Sequence, residues 1–243
     1  MKRVEVMVDK SAERVREMFG EIAPQYDRLN HLLSFQTDRY WRWRAVRSVR
    51  LNDRQPILDC CCGTGDLAFA WSRVTRGRVP VVAADFCPEM LDVARRKAAR
   101  FRYGNQVQFV EADTQQLPFE TDRFQVVSAA FGLRNVSDTN AGLREMVRVC
   151  SPGGHVLILE FTTPRRQPMK GLYLWYFKNV LPRIGERLAK NNKQAYQYLP
   201  ESVGEFAAYE ALLEHMQNTG LTQLRMIPLT FGIATMYLGQ KVP

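Results

Sequence analysis

The chain has 243 residues, 46% of them apolar and 24% charged, which suits one α/β domain with additions better than two domains of ordinary size. Its formal charge of +9 favours contact with nucleic acid, anionic lipid or an acidic substrate. The five cysteines, an odd number with three adjacent, argue against a disulfide framework, and no apolar run approaches the ~20 residues that span a bilayer. No leading apolar segment suggests a signal peptide, so the expected location is cytoplasmic, with room for peripheral contact at the inner face of a membrane.

Residues 1–50 read as helical. Ser11 is placed to cap a helix over Ala12 to Phe19, the stretch Glu21 to Asp27 breaks the pattern, and Leu29 to Phe35 is apolar enough for partial burial. Asp38 then stands where it can cap a helix through Tyr40-Trp41-Arg42-Trp43-Arg44-Ala45-Val46. So many aromatics ahead of a nucleotide-type core suit a lid over its ligand edge, and equally suit ordinary helical packing on the sheet. Pro56-Ile57-Leu58 reads as a short buried strand and Leu67 to Trp71 as the opening of a helix, so Gly63 and Gly65 fall on a strand-to-helix turn. Glycine there reaches backbone angles closed to other residues and lets the main chain approach a ligand.

Strands and helices then alternate to Glu160, which predicts a mostly parallel sheet covered on both faces. Val81 to Ala84 ends in Asp85; Pro88 starts a helix with Met90, Leu91, Ala94, Ala98 and Phe101 at helical period. Val107 to Val110 runs into Glu111-Ala112-Asp113-Thr114, and Phe124 to Ser128 opens into Ala129 to Val136. A helix from about Asn140 to Val149, the turn Ser151-Pro152-Gly153-Gly154 and a strand His155 to Glu160 complete the core. Residues 161–200 interrupt it with Gly171-Leu172-Tyr173-Leu174-Trp175-Tyr176-Phe177 between Arg165, Arg166, Lys170 and Lys178, a composition that suits an apolar tunnel, a membrane-surface element or a packed helix. A last helix is expected within Pro200 to Gly220, then Thr222 to Ile227 and Ile233 to Gln240 as closing strands joined around Pro228 and Gly232. The expectation is a single domain over 1–243, Rossmann-like α/β: an N-terminal helical lid (1–50), a cofactor core (51–160), a substrate-side insertion (161–200) and a closing segment (201–243). Its seven-stranded sheet is mostly parallel with an antiparallel C-terminal strand.

Gly63-x-Gly65-x-x-Ala68 also fits the relaxed dinucleotide fingerprint. The acids beside it decide between ligands. A pyrophosphate on the helix N-terminus would lie near Asp59 and Asp66, and like charges a few ångströms apart repel by ~1 to 4 kcal/mol between the dielectric limits of water and a protein surface. S-adenosylmethionine carries an ammonium and a sulfonium instead, and the same carboxylates attract it. Asp85, about twenty residues past the glycines, suits ribose hydroxyls, and Asp113 suits an adenine amino group. The run Cys60-Cys61-Cys62 points to alternate faces and has no Cys-x-x-Cys or nearby His to complete a metal site, so it reads as small apolar filler beneath the turn. Cys87 and Cys150 read the same way, and no metal is expected.

These residues resemble the C-methyltransferases of ubiquinone and menaquinone biosynthesis from about Phe19 to Gln240. Four places carry the likeness: Tyr26-Asp27-x-x-Asn30 with Ser34 and Trp41; Asp59 through Ala68; Phe131-Gly132-Leu133-Arg134-Asn135-Val136; and Arg148-Val149 with Pro152-Gly153-Gly154. The glycine turn is shared by many methyltransferases, whereas the Phe-Gly-Leu-Arg-Asn-Val run and the Tyr-Asp segment are far more particular. The family usually has His where Asp38 stands, Ser at Ala130 and Lys at Ser151. The resemblance implies a class I S-adenosylmethionine-dependent fold, with cofactor positions at Thr64, Asp85, Asp113 and Thr114 beside Asp59, Gly63 and Gly65. It further implies methyl transfer to a ring carbon of a reduced, prenylated quinone, either demethylmenaquinol or 2-methoxy-6-polyprenyl-1,4-benzoquinol. Arg134 is expected to stabilise a developing phenolate and Asn135 to orient the ring, with Tyr26, Asp27 or His31 removing a proton; Arg134 paired with an acid is the bland alternative.

A nucleic-acid methyltransferase would carry Asn-Pro-Pro-Tyr, Asp-Pro-Pro-Tyr or a Pro-Cys pair at the fourth strand, where Ala129-Ala130-Phe131-Gly132 stands, so nucleic acid is not the expected partner. A non-catalytic S-adenosylmethionine-binding protein is the other rival. Expected partners are the prenylated quinol and, transiently, a membrane surface; a homo-oligomer or a complex of quinone-biosynthesis proteins stays open.

Overall fold

The computed structural model describes residues 11–52, 54–180 and 193–243. Residues 1–10 of the expected helical lid and 181–192 of the expected insertion lie outside them. The strand Ile57–Cys60 (β1) is buried along its whole length, as a strand must be when helices cover both faces of its sheet. It is followed by helix Asp66–Val74 (α4), strand Val81–Asp85 (β2), helix Pro88–Ala98 (α5), strand Val107–Glu111 (β3), strand Phe124–Ala130 (β4), helix Thr139–Val149 (α6) and strand Cys150–Phe161 (β5). Ahead of them lie helices Ala12–Ile22 (α1), Tyr26–Leu33 (α2) and Thr37–Val46 (α3). Helices Met169–Asn179 (α7), Lys193–Glu205 (α8) and Glu210–Asn218 (α9) precede strands Leu221–Leu229 (β6) and Ala234–Lys241 (β7).

The sheet order is β3-β2-β1-β4-β5-β7-β6. β1 pairs in parallel with β2 (Ile57 to Val81) and with β4 (Ile57 to Val126), and β7 is antiparallel to both β5 and β6. The seven-stranded, mostly parallel sheet with an antiparallel C-terminal strand therefore stands as expected. The chain leaves β1 toward β2 on one side and returns to β4 on the other. That reversal opens a crevice at the strands' carboxyl ends, where open α/β sheets bind ligands. Successive β1 side chains enter different cores: Ile57 joins Trp41, Trp71 and Leu157, while Leu58 joins Leu143, Met146 and Met216.

Several boundaries differ from expectation for identifiable reasons. Helix α3 starts after Gln36, in left-handed conformation at φ 61°, so Asp38 sits inside the first turn and is buried, not capping. Helix α6 starts at Thr139 because the Asp138 carboxylate accepts the Ala141 N–H at 2.9 Å. Pro200 lies inside α8 without ending it, and the last helix is two helices with a break between Glu205 and Glu210. Pro228 lies within β6, which is the sheet edge, where a missing N–H removes no ladder bond from an interior strand. The turn Ser151 to Gly154 is a bulge inside β5, where pairing jumps from Phe124–Cys150 to Val126–His155.

Candidate active site

After Cys60 the backbone bends through left-handed angles at Cys61 (φ 49°), Gly63 (φ 53°) and Gly65 (φ 85°). A Cβ on Gly65 would lie 3.0 Å from the Phe69 ring. Gly63 has only a Tyr26 ring carbon, at 4.0 Å, beside the place its Cβ would take. The turn thereby leaves open a crevice of about 900 Å³, counting its solvent side, walled by Tyr26, Asp59, Gly63, Asp85, Asp113 and Asn135 among others.

Asp59 is 1% exposed. Its Oδ1 accepts the Ser128 hydroxyl at 3.0 Å, and its Oδ2 is buried without a hydrogen-bond partner among the described residues. Burial pushes its carboxyl up to about 7, opposed by the Ser128 bond, the Arg42 charge and the nearby Ala68 N–H. Asp85 accepts the Gly63 N–H at 2.7 Å and the Cys87 N–H at 2.9 Å, and burial still pushes it up to about 6. A carboxylate with about four acceptor positions keeps capacity for a ligand hydroxyl beside these donors and the Phe86 N–H. Asp113 is exposed at the crevice rim and accepts the Gln115 N–H at 2.9 Å. Thr114 is buried with its hydroxyl 3.3 Å from Cys61 Sγ. Cys60 is fully buried in the core, while Cys61 and Cys62 pack against the two cores and also line the crevice.

Thr64 and Asp66 line the crevice, but their polar atoms are already engaged within the protein. Lys97 Nζ donates to Asp66 at 2.6 Å, to Asp27 at 2.7 Å and to Thr64 at 3.2 Å, and Thr64 donates to Asp27. Arg42 reaches Asp38 and comes within 3.6 Å of Asp66. Burial alone would raise the Asp66 carboxyl, but Arg42 and Lys97 outweigh it and hold it below the usual range. The Asp66 charge is thus engaged by the protein's own cations, and the argument for a cationic ligand rests on Asp59. Those cations also serve the cluster of His31, Asp38 and Asp66, whose ligand-type atoms lie within 4.8 Å of one another. The partners of this network come from four helices and, through Thr64, the glycine turn. Only the i, i+4 spacing of Asp38 and Arg42 could have signalled any of it in advance.

A second cavity of about 740 Å³ lies behind the crevice, between α1, α2, α3 and the ends of β4 and β5, and shares Phe19, Tyr26, Arg42 and Phe131 with it. Arg134 lines this inner cavity and is 5% exposed. Its Nη1 donates to Glu160 at 2.9 Å and to the Phe131 carbonyl, its backbone N–H donates to Glu160 at 3.2 Å, and its Nε has no partner among the described residues. Glu160, 0% exposed, escaped the sequence reading although an acid closing the apolar run Val156 to Leu159 repeats the pattern at Asp85. Asn135 lines the outer crevice, its Oδ1 buried and unpartnered. Tyr26 faces both cavities; burial raises its hydroxyl, opposed mainly by the Arg134 and Arg42 guanidiniums. Gly132 lets this loop cross β1: a Cβ there would stand 2.3 Å from Cys61 Cβ.

Asp38 also lines the inner cavity, accepting Ser34 Oγ at 2.7 Å with His31 Nδ1 at 2.7 Å. Burial opposes its charge, yet Arg42 and Ser34 hold its carboxyl below the usual range. His31 lines neither cavity and opens instead on a solvent groove with Lys97 and Arg73. Asp27 is enclosed by Thr64 and Lys97. Beyond the inner cavity, sharing Asn30, Leu33, Ser34 and Phe161 with it, runs an apolar groove of about 1190 Å³ along α7.

A family profile described as the ubiE/COQ5 methyltransferase family matches residues 7–241. The chain is 43% identical over 232 residues to the ubiquinone/menaquinone biosynthesis C-methyltransferase UbiE of Geobacter sulfurreducens, covering 96% of this chain and 90% of that one. It is 42% identical over 236 residues to the demethylmenaquinone methyltransferase of Chlorobaculum tepidum, covering 96% and 94%. Among solved structures, a SAM-dependent methyltransferase of Thermotoga maritima superposes with TM-score 0.64 at 15% identity, over 93% of this chain and 99% of that one. One from Aquifex aeolicus gives 0.59 at 15% identity, over 83% and 89%. Those distant likenesses establish the fold, and the profile and close relatives go further: the chain belongs to the ubiE/COQ5 methyltransferase family.

Proposed function

We propose that this chain methylates a ring carbon of a reduced prenylated quinone, demethylmenaquinol or 2-methoxy-6-polyprenyl-1,4-benzoquinol, with S-adenosylmethionine bound in the outer crevice. The observation that carries this reading is the succession of three spaces: an acidic crevice, an inner cavity bearing Arg134 behind Tyr26 and Phe131, and an apolar groove continuous with that cavity. A charged donor, an aromatic ring and an isoprenoid tail match them in that order. The names of the relatives in Geobacter and Chlorobaculum support the same substrate class.

The unpartnered Asp59 Oδ2 fits an ammonium group, because a buried acceptor without a partner is costly until a donor arrives. Asp85 and Asp113 are the acceptors for ribose and adenine. When bound, S-adenosylmethionine supplies an electrophilic methyl on a sulfonium. The ring carbon is a sufficient nucleophile only in the quinol form, and Arg134 lowers the cost of negative charge on its oxygen, because an arginine stays protonated. Tyr26, protonated at neutral pH, donates a hydrogen bond at the boundary between the cavities. With the donor bound, the new carbon–carbon bond would form as the methyl–sulfur bond breaks, leaving a neutral thioether and releasing the ring proton. Asp38 at the inner cavity accepts it, and His31 passes it toward the solvent groove.

The test is a methylation assay on the purified chain with mass-spectrometric detection of the product. Arg134→Ala would leave Glu160 as an uncompensated buried charge, at about 3–5 kcal/mol, so the variant to use is Arg134→Gln with Glu160→Gln. It should stay folded and bind S-adenosylmethionine nearly as the parent does, with turnover lost. A parent that methylates no quinol overturns the function; a normal turnover number in the variant removes Arg134 from the mechanism.

A further inference from the structure

Phe35 and Phe231 are each 77% exposed, and both stand in left-handed backbone, at φ 50° and 58°. A bulky apolar residue gains little from folding when mostly exposed and is disfavoured in that conformation; Phe35 keeps one ring neighbour, Tyr176 at 6.2 Å between centroids. Two such residues at the tips of separate turns point to a contact outside the chain. Phe35 lines the apolar groove, and so does Thr230, the neighbour of Phe231, which is held to α3 by the Trp41 indole N–H at 2.7 Å.

Helix α7 completes the rim. Its inner side carries the buried Tyr173, and Tyr176, whose hydroxyl donates to the Leu33 carbonyl at 3.0 Å. Its exposed side carries Leu172 (56%) and Trp175 (56%), which also border the groove, and Leu174 (49%), between Lys170 and Lys178, both exposed. No acidic residue occurs from Phe161 to Val180, where Arg165, Arg166, Lys170 and Lys178 do. Arg165 is paired with Glu210, which leaves the other three cations facing solvent beside the aromatics. Apolar side chains interleaved with lysine on an exposed helix face suit the headgroup boundary of a bilayer.

We infer that the outer face of α7 and the tips at Phe35 and Phe231 dock this protein on an anionic lipid surface, with the groove mouth facing the hydrocarbon. The inference rests on the reading that the substrate carries a prenyl tail. A tail entering the groove from the bilayer interior never crosses water, whereas a groove opening on solvent would expose it. Charge selects the leaflet surface and the aromatics anchor at it, without any spanning segment; no helix among the described residues is long and apolar enough to cross a membrane.

The experiment floats the full chain with vesicles of phosphatidylcholine alone and with roughly one-third phosphatidylglycerol, in the absence of quinol and cofactor. Two variants avoid the groove lining: Leu174→Ser with Phe231→Asn, the latter suited to left-handed backbone, and Lys170→Gln with Lys178→Gln. The parent should partition preferentially to the anionic vesicles. Each variant should bind them at least about tenfold more weakly and keep the parent's turnover on a short-tailed, water-soluble quinol. Equal flotation of parent and variants overturns the docking surface. So does a parent dimer in sedimentation equilibrium that the Leu174→Ser, Phe231→Asn variant dissociates, since the patch would then be an interface between copies. Vesicle binding that depends on the patch stands even where no quinol is methylated, and that result would count against the proposed reaction alone.

Discussion

Replacing Asp59 with Asn sets stability against binding in a way that pH can read out. The carboxyl ionises near 3.8 in the unfolded chain and near about 7 in the folded one, because burial disfavours its charge. Between those values the folded state holds a proton that the unfolded state has released. The stabilisation is therefore complete below the lower value and is lost as pH rises through the upper one. At about 1.4 kcal/mol per unit the full loss is roughly 4 kcal/mol, and the part falling between about pH 5 and about pH 8.5 is roughly 2–3 kcal/mol. Asn keeps the Ser128 bond through its amide oxygen and does not titrate. Its NH₂ replaces an acceptor with no partner by a donor with none, a pH-independent cost of about 1–3 kcal/mol. Asp85 titrates in both proteins, so its own contribution cancels in the difference apart from its repulsion of the Asp59 charge. Urea unfolding at the two pH values should show the variant gaining on the parent by roughly 2–3 kcal/mol as pH rises. Calorimetric titration at about pH 8 should show S-adenosylmethionine binding weakened ten- to a hundredfold, the worth of one charged hydrogen bond. Stability curves that run parallel in pH would refute the buried titration, and an unchanged dissociation constant would remove Asp59 from the ammonium site.

Lys97→Met removes the cation that ties α2 to the start of α4, leaving Asp27 and Asp66 without it; thermal unfolding should register a loss of about 1–2 kcal/mol after allowance for partial exposure, with weaker S-adenosylmethionine binding because Tyr26 loses its support. Gly132→Ala drives a Cβ into Cys61 and should cost about 3 kcal/mol or more in denaturant unfolding. The Cys61→Gly background should rescue it, since glycine removes the opposing carbon and suits the left-handed φ there, whereas Cys61→Ala should not. His31→Gln cuts the route from Asp38 to solvent, so kcat should fall about tenfold or more with KM little changed. Added imidazole should restore turnover through the open groove His31 lines, and failure of that rescue with a normal pH profile would make His31 purely structural.

The core was legible before the structure because its signals are local. Apolar runs closed by Asp85 or by Glu111-Ala112-Asp113 mark strands that end at a ligand crevice, and Gly63 and Gly65 announce a turn that other residues cannot make. Proline is less legible: Pro228 stays within a strand because that strand is at an edge of the sheet, and Pro200 stays within a helix, both outcomes that local pattern does not decide.

Charge placement was the part that local pattern leaves undecided. Asp59 and Asp66 flank one glycine turn and look equivalent in a string of letters. Folding buries the first with an empty acceptor and surrounds the second with Lys97 and Arg42, brought from α5 and α3. Arg134 similarly meets Glu160 only because β4 and β5 are neighbours. Periodicity and glycine spacing settle the backbone's course, since they act over a few residues. Which acid remains free to hold a cation depends on partners far along the chain, and only packing in three dimensions assigns those.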